Sequence, residues 1–453
     1  MKYISTRGGC PATDFRGALM GGLAPDGGLY VPDVWPTLPQ GFSPKTYIDT
    51  AEAVLSLFMD GFIDKPTLRT LLEKAYASFD VPEVAPLRKL DENLSVLELF
   101  HGPTIAFKDV ALQLLGRLFD YELRKTGQKI TILGATSGDT GSAAIEGCRH
   151  AQGAEIYILY PHERPSEVQR RQMTTVNAPN VHAVAVEGNF DDCQAIVKQL
   201  FADAAFRSSQ NLSAVNSINW ARIAAQVVYY VHTAYSYPQG VNFIVPTGNF
   251  GNVYAAYVAK KLGAPIRKLV VASNRNDILT RFFESGRMQK SEVEPSLSPS
   301  MDIQVSSNFE RVLFDALGRD PEALKTCMAD FTKQGSYNVP QKAFDVLLDI
   351  FTGIRCDDDD TLAAIACTQR DYGYTIDPHT AVAFHAYHEF KDSLEGPVVA
   401  LACAHPAKFP DAVQKATGKR PPLPEALADL YERPEHFTVI PNSAEAVKKL
   451  ILG

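Results

Sequence analysis

Leu99-Phe100-His101-Gly102-Pro103-Thr104-Ile105-Ala106-Phe107-Lys108-Asp109 is the stretch on which the reading of this 453-residue chain turns. It closes the short apolar run VLELF, breaks at Gly102-Pro103 and enters the helical pattern DVALQLLGRLFDYELRK. Gly-Pro is a turn signal. Val110, Leu114, Leu118 and Tyr121 then recur on one helical face. The spacing therefore places Lys108 at a helix start, close to the apolar Phe107 and Val110. The positive end of the helix dipole and partial burial both disfavour a charged amine there. A lysine that is easily made neutral is a nucleophile for carbonyls. A lysine whose head merely reaches out to water is the other reading of the position alone.

Working outward, the texture is that of a large globular α/β protein. Apolar residues make up 45% of the chain and charged ones 21%, and the net charge is −8. That balance, without a basic stripe, points away from nucleic acid. No apolar run approaches membrane-spanning length, and the N-terminus lacks the apolar core of a signal peptide. Seven cysteines with no CxxC pair suggest a reducing compartment, so a soluble, cytoplasmic protein is expected. Residues 1–92 read as a mainly helical lead-in. Helix starts are expected at Ser43-Pro44 and Asp64-Lys65-Pro66, with a short helix near Val81 and a linker in VPEVAPLRKLDENL. From there apolar runs (KITILGA, AEIYILYP, NVHAVAVEG, VNFIVPTG, KLVVASN, PVVALACA) alternate with helix-length patterns. That alternation predicts mostly parallel sheets in two doubly wound halves, 93–235 and 236–453. Sites in such sheets lie at the carboxyl ends of the strands.

Two loops stand at that position. KITIL leads into Gly134-Ala135-Thr136-Ser137-Gly138-Asp139-Thr140-Gly141-Ser142 and then a helix. A Gly-rich loop at a helix N-terminus suits an anion. It fits either a dinucleotide or a small carboxylate held by Ser137, Thr140 and backbone N–H groups. VNFIVPT leads into Gly248-Asn249-Phe250-Gly251-Asn252 and a second helix. Glycines that admit oxygens to backbone N–H groups, with asparagine donors beside them, make a phosphate cup. The loop lacks the Lys-Ser/Thr ending of a nucleotide P-loop, so a monophosphate suits it best.

Lysine, carboxylate-type loop and phosphate cup in that order resemble the tryptophan-synthase-β-like family of pyridoxal-phosphate enzymes. HGPTIAFKD, TSGDTG, NSINWARI, PTGNFGN, AHPAKF and the opening GGLAPDGGLYVP resemble most the longer threonine synthase subfamily. The resemblance implies pyridoxal 5'-phosphate as cofactor, with Lys108 as the Schiff-base lysine. It implies conversion of O-phospho-L-homoserine and water to L-threonine and phosphate. It also implies that Gly248, Asn249, Phe250, Gly251 and Asn252 hold the cofactor phosphate. Ser137, Asp139 and Thr140 would lie beside the substrate carboxylate and the pyridoxal 3-oxygen, with Thr104 also touching substrate. Asn216, Ser217 and Arg222 would bind the substrate phosphate. Cys403 stands where many relatives carry a hydroxyl facing the pyridine nitrogen, and a thiol is a weaker hydrogen-bond partner. Other readings stay open: elimination of phosphate without hydration, or an NAD(P) enzyme resting on GATSGDTG, which leaves Lys108 and GNFGN without a role.

The remaining candidates are bland. His385 and His388 in AFHAYHEF lack metal spacing and are expected on a solvated helix face. Asp357 to Asp360 are expected as favourable charge at a helix start. Cys10, Cys148, Cys193, Cys327, Cys356 and Cys367 are expected as plain thiols, and His379 in DPHTAVA has no physical role from sequence.

Overall fold

The strand patterns form where expected because each is an unbroken apolar run that a parallel sheet buries on both faces. The computed structural model describes residues 1–453. One sheet has six strands, in spatial order Phe351–Arg355, Ile266–Ser273, Val241–Pro246, Val398–Ala402, Leu94–Glu98 and Leu87–Lys89. All neighbours are parallel except the last pair. Alternate residues face opposite cores. Phe243, Val245, Leu269 and Val271 enter the largest apolar cluster, whereas Ile244, Val270 and Ala272 pack with the helix Pro378–Phe390 on the other side. The second sheet has five parallel strands, in the order Thr438–Pro441, Val181–Glu187, Ala154–Pro161, Ile130–Ala135 and Leu212–Ser213. No helix is long and apolar enough to cross a membrane.

The sheets cut across the expected boundaries at 92/93 and 235/236. Leu94–Glu98, which leads to Lys108, pairs with Val398–Ala402 in the six-stranded sheet rather than with the next strand in the chain, Ile130–Ala135. Thr438–Pro441, near the C-terminus, completes the five-stranded sheet. Periodicity reports which segments are strands and not which sheet they join. The consequence for function is direct: Lys108 grows from one sheet and Asp139 from the other.

The lead-in holds the helices Phe15–Gly21, Tyr47–Phe58 and Lys65–Tyr76, with Tyr3–Ser5 paired to Tyr30–Pro32. Asp64 caps its helix as expected, with proline in the first turn. The helix expected from Ser43-Pro44 starts later, because Thr46 and Asp49 form a reciprocal capping box. The residues near Val81 make turns, not a helix, and the expected linker contains the strand Leu87–Lys89. The helix Trp220–Ala234 is buried almost all round, with Trp220 against Tyr3 and Phe58 at ring-centroid distances of 5.7 and 5.5 Å.

Candidate active site

Lys108 is the first residue of the helix Lys108–Thr126, as the sequence predicts, and only 6% of it is exposed. The turn before it is strained and locked. Ile105, a β-branched residue, has φ 53°, a conformation such residues rarely adopt. The Phe107 amide donates to the Cys403 carbonyl (2.7 Å), and the His405 amide to the Ile105 carbonyl (3.0 Å). Asp109 accepts the Thr104 amide at 2.8 Å and the Thr104 hydroxyl at 2.7 Å, and burial pushes its carboxyl up to about 6. Thr104 ties the turn together, its hydroxyl donating to Asp109 and its carbonyl accepting from Lys408 and Gln172.

Lys108 Nζ donates to Asp139 Oδ2 and to Ser300 Oγ, each at 3.1 Å. Asp139 opens the helix Asp139–Cys148. It also accepts from Ser300 Oγ (2.8 Å) and Gln169 Nε2 (2.9 Å), and Lys408 Nζ lies 3.6 Å from its other oxygen. Burial alone would raise this carboxyl, but Lys108, Lys408 and His379 outweigh it and hold it well below the usual carboxylate range. Lys408 is wholly buried, donating to Thr104 O and Gln172 Oε1 at 2.7 Å each, and burial pushes it below the usual lysine range. In the same loop Gly138 has φ 145°, and a Cβ there would lie 2.6 Å from the Gln169 side chain. Ser137 and Thr140 stand half-buried at the helix mouth.

The GNFGN loop connects the strand Val241–Pro246 to the helix Gly251–Lys261. Phe250 caps that helix from the left-handed region, φ 62°, and no side chain caps its first N–H groups. The Phe250 ring is buried against Phe309 and Phe351, so its side chain belongs to the core and not to the mouth of the loop. Gly248 admits a neighbouring segment, since a Cβ there would lie 3.1 Å from Met301 Cα and 3.2 Å from the Ser300 carbonyl. The Asn249 carbonyl accepts from Asn308 Nδ2 (3.0 Å), which also reaches the Ser217 carbonyl (3.0 Å). Asn308 thereby fastens NSINW to GNFGN. Asn252 Oδ1 accepts from the hydroxyls of Tyr229 and Tyr230, while its buried Nδ2 has no protein partner.

Asn216 and Ser217 lie just ahead of the helix Trp220–Ala234, not at its start. Asn219 caps it, accepting the Ala221 amide at 3.0 Å. Arg222, in the first turn, is 4% exposed and forms no salt bridge, and its Nη1 is buried without a partner. Burial brings this guanidinium down to about 10, with only Tyr229 nearby to favour its charge. A buried, uncompensated cation and a buried, unpaired amide donor flank the same tyrosine. Donors of this kind suit an anion.

Cys403 follows the strand Val398–Ala402 and is buried, which pushes its thiol well above the usual range. Its amide donates to Thr380 Oγ1 (3.0 Å), which ties it to DPHTAVA. There Asp377 accepts from His379 Nδ1 at 2.8 Å, leaving His379 Nε2 buried and unpartnered. The structure thus gathers Lys108, Asp139 and the backbone of GNFGN around one serine segment, Pro299–Met301. Sequence reasoning missed Ser300, Gln169, Gln172 and Lys408. Lys408 stands inside AHPAKF, so the motif held that signal, whereas Ser300 lies in an aperiodic Ser/Pro-rich stretch with none. His385 and His388 are half-buried rather than solvated, while Asp357 caps its helix as the acidic run predicts.

Comparison with known proteins agrees with this geometry. Residues 2–76 match the model of the threonine synthase N terminus, 81–328 that of pyridoxal-phosphate dependent enzymes, and 380–451 that of the threonine synthase C-terminal region. Threonine synthase of Pseudomonas aeruginosa is 50% identical, covering 100% of this chain and 98% of its own. The crystal structure of pyridoxal-phosphate-bound threonine synthase from Brucella melitensis superposes with a TM-score of 0.97 at 48% identity, over 100% of this chain and 98% of that one. The yeast threonine synthase structure gives 0.95 at 39% identity, again over 100% and 98%. Matched by these family models over most of its length, and by full-length relatives at up to 50% identity, the chain belongs to the threonine synthase family of pyridoxal-phosphate-dependent enzymes.

Proposed function

We propose that the chain converts O-phospho-L-homoserine and water to L-threonine and phosphate. The observation that carries this reading is Lys108, a buried amine at a helix start, 3.1 Å from Asp139, at the carboxyl edges of both sheets. The residues fit pyridoxal phosphate. Lys108 would hold its aldehyde carbon, and the uncapped amides of GNFGN and Asn252 Nδ2 its phosphate. Asp139 would lie beside its 3-oxygen, and Cys403 would face its ring nitrogen. Bound there, the cofactor supplies an electron sink for charge developing at the substrate α-carbon.

The protein's own groups account for the rest. Lys108 Nζ moves protons at the substrate α- and β-carbons. Asp139, kept ionised by Lys408, holds that amine in place between transfers. Ser137 and Thr140 bind the substrate carboxylate at the mouth of the helix Asp139–Cys148. Arg222, with Asn216 and Ser217, takes the substrate phosphate and stabilises it as it leaves. The seven free cysteines support a reducing, cytoplasmic setting. The test is direct: protein with pyridoxal phosphate and O-phospho-L-homoserine should release phosphate and L-threonine in equal amounts. A 2-oxo acid and ammonia in place of threonine would show elimination without hydration.

A further inference from the structure

Two sequence features that the reaction does not use meet in space. The acidic run Asp357–Asp360 opens the helix Asp358–Tyr372, and His385 lies on the helix Pro378–Phe390, which packs beside it. Between them, just past the end of the edge strand Phe351–Arg355, stands Cys356. Cys356 Sγ, a carboxylate oxygen of Asp360 and a ring nitrogen of His385 all lie within 4.8 Å of one another, with His385 Nε2 4.0 Å from Asp360 Oδ2.

Each donor is held by its own element. The Cys356 amide donates to the Ser273 carbonyl at 2.9 Å, which fixes the residue against the sheet. Asp360 accepts the Asp357 amide at 3.1 Å as half of a capping box. The sulfur itself makes only weak contacts, 3.4 Å to Thr361 Oγ1 and 3.6 Å to the Asp357 carbonyl. Two of the nearby acids are already balanced by arginines, Asp358 by Arg275 at 3.0 Å and Asp277 by Arg355 at 3.5 Å, whereas Asp360 has no arginine or lysine partner. Sulfur is buried, whereas carboxylate and imidazole are half-buried, so solvent reaches the cluster from their side.

We propose that Cys356, Asp360 and His385 form a binding site for a thiophilic divalent ion of the zinc class, with water as fourth ligand. Thiolate, imidazole and carboxylate together select such an ion over magnesium or calcium. Metal–donor distances of about 2.0–2.3 Å put tetrahedral donors about 3.3–3.8 Å apart, so closure asks for side-chain movements on the order of 1 Å. As the sulfur–metal bond forms, the Cys356 thiol gives its proton to solvent. The ion then joins the end of the edge strand to both helices.

Cobalt(II) titrated into the pyridoxal-phosphate-loaded full chain tests this. One equivalent should bind with tetrahedral d–d bands in the red, where the cofactor does not absorb, and zinc should displace it one for one. Cys356→Ser and His385→Ala should each weaken zinc binding by more than about tenfold and abolish the zinc-induced rise in Tm, with turnover in chelator-treated buffer unchanged. Zinc K-edge absorption on the unaltered protein, which needs no variant to fold, should find one sulfur among the ligands. Absence of a tetrahedral cobalt spectrum, a sulfur-free zinc shell, or binding that survives both substitutions would overturn the proposal.

Discussion

The lysine side of the active site and its phosphate side are both buried and both charged, yet they treat charge in opposite ways. Around Lys108 the charges are answered from within the chain: Asp139 is shared by two lysines, Ser300 and Gln169. Around GNFGN the donors are left over, with Arg222 Nη1 and Asn252 Nδ2 facing no protein acceptor. A satisfied buried network costs little and fixes geometry. An unsatisfied one costs stability until a ligand completes it. The first side is thus preorganised around one amine, and the second keeps donors free, as the phosphate site we propose requires.

The largest effect expected on this contrast comes from Lys108→Ala. Turnover should fall to background, and borohydride reduction, which should place the pyridoxyl group on Lys108 in the unaltered protein, should label no other lysine. Folding should survive, because Asp139 keeps Lys408 and Gln169. Asp139→Ala should reverse the balance. It leaves two buried lysines facing each other without their anion, which should cost about 3–5 kcal/mol in urea unfolding of cofactor-free protein. Because Asp139 is held below the usual carboxylate range, its contribution is complete above about pH 4 and is lost only on further acidification. The stability gap between the two proteins should therefore stay level from about pH 8 to 5 and narrow below about 4. A loss under about 1 kcal/mol would mean that the network is not satisfied as described.

Arg222→Met probes the other side and should give the opposite sign. Removing an uncompensated buried charge should stabilise ligand-free protein by about 1–3 kcal/mol. The same change should lower kcat/KM for the phosphorylated substrate about 100-fold. Deamination of L-serine or L-threonine, which involves no substrate phosphate, should fall far less. Parallel losses would make Arg222 structural. Gly251→Val should act on the cup itself. A Cβ at Gly251 would lie 3.2 Å from Asn308 Nδ2, and a branched side chain there obstructs the approach of oxygen to the helix amides. The Kd for pyridoxal phosphate should rise by about tenfold or more, with a smaller change in the Tm of cofactor-free protein; equal affinity would remove the loop from the phosphate site.

What was legible in the sequence follows the same division. Strands, the loops after them and the helix start at Lys108 are local, because apolar runs, glycines and turn residues act over a few positions. The partners of Lys108 are not local. Ser300 reaches it from a segment with no periodicity, and Asp139 from the other sheet. The bond from the Thr104 hydroxyl to Asp109 had no signal either, because it forms only once the turn is closed. Arg222 could be named but its isolation could not, since a missing partner has no sequence signature. The leading strand Leu94–Glu98 was legible as a strand while its sheet was not, because pairing across the chain is decided by tertiary packing.

The smallest effect, and the one that locates the ring between the two sides, belongs to Cys403. Its backbone is engaged by Thr380 and Phe107, so exchange of the side chain leaves the frame intact. Sγ is buried and forms no hydrogen bond within the chain, which suits a thiol. Cys403→Ser puts a stronger donor and acceptor in the same place. Without cofactor that hydroxyl is buried and unpaired, which should cost about 1–2 kcal/mol. With pyridoxal phosphate bound, a ring nitrogen facing residue 403 would take the hydrogen bond, recover most of that loss and shift the visible absorption band. The measurement is therefore a difference: Tm of Cys403→Ser against the unaltered protein, with and without cofactor. A deficit that shrinks on loading places the nitrogen at Cys403. A deficit of the same size in both states, with an unmoved spectrum, means the ring ends elsewhere, and the unpartnered Nε2 of His379 becomes the group to test next.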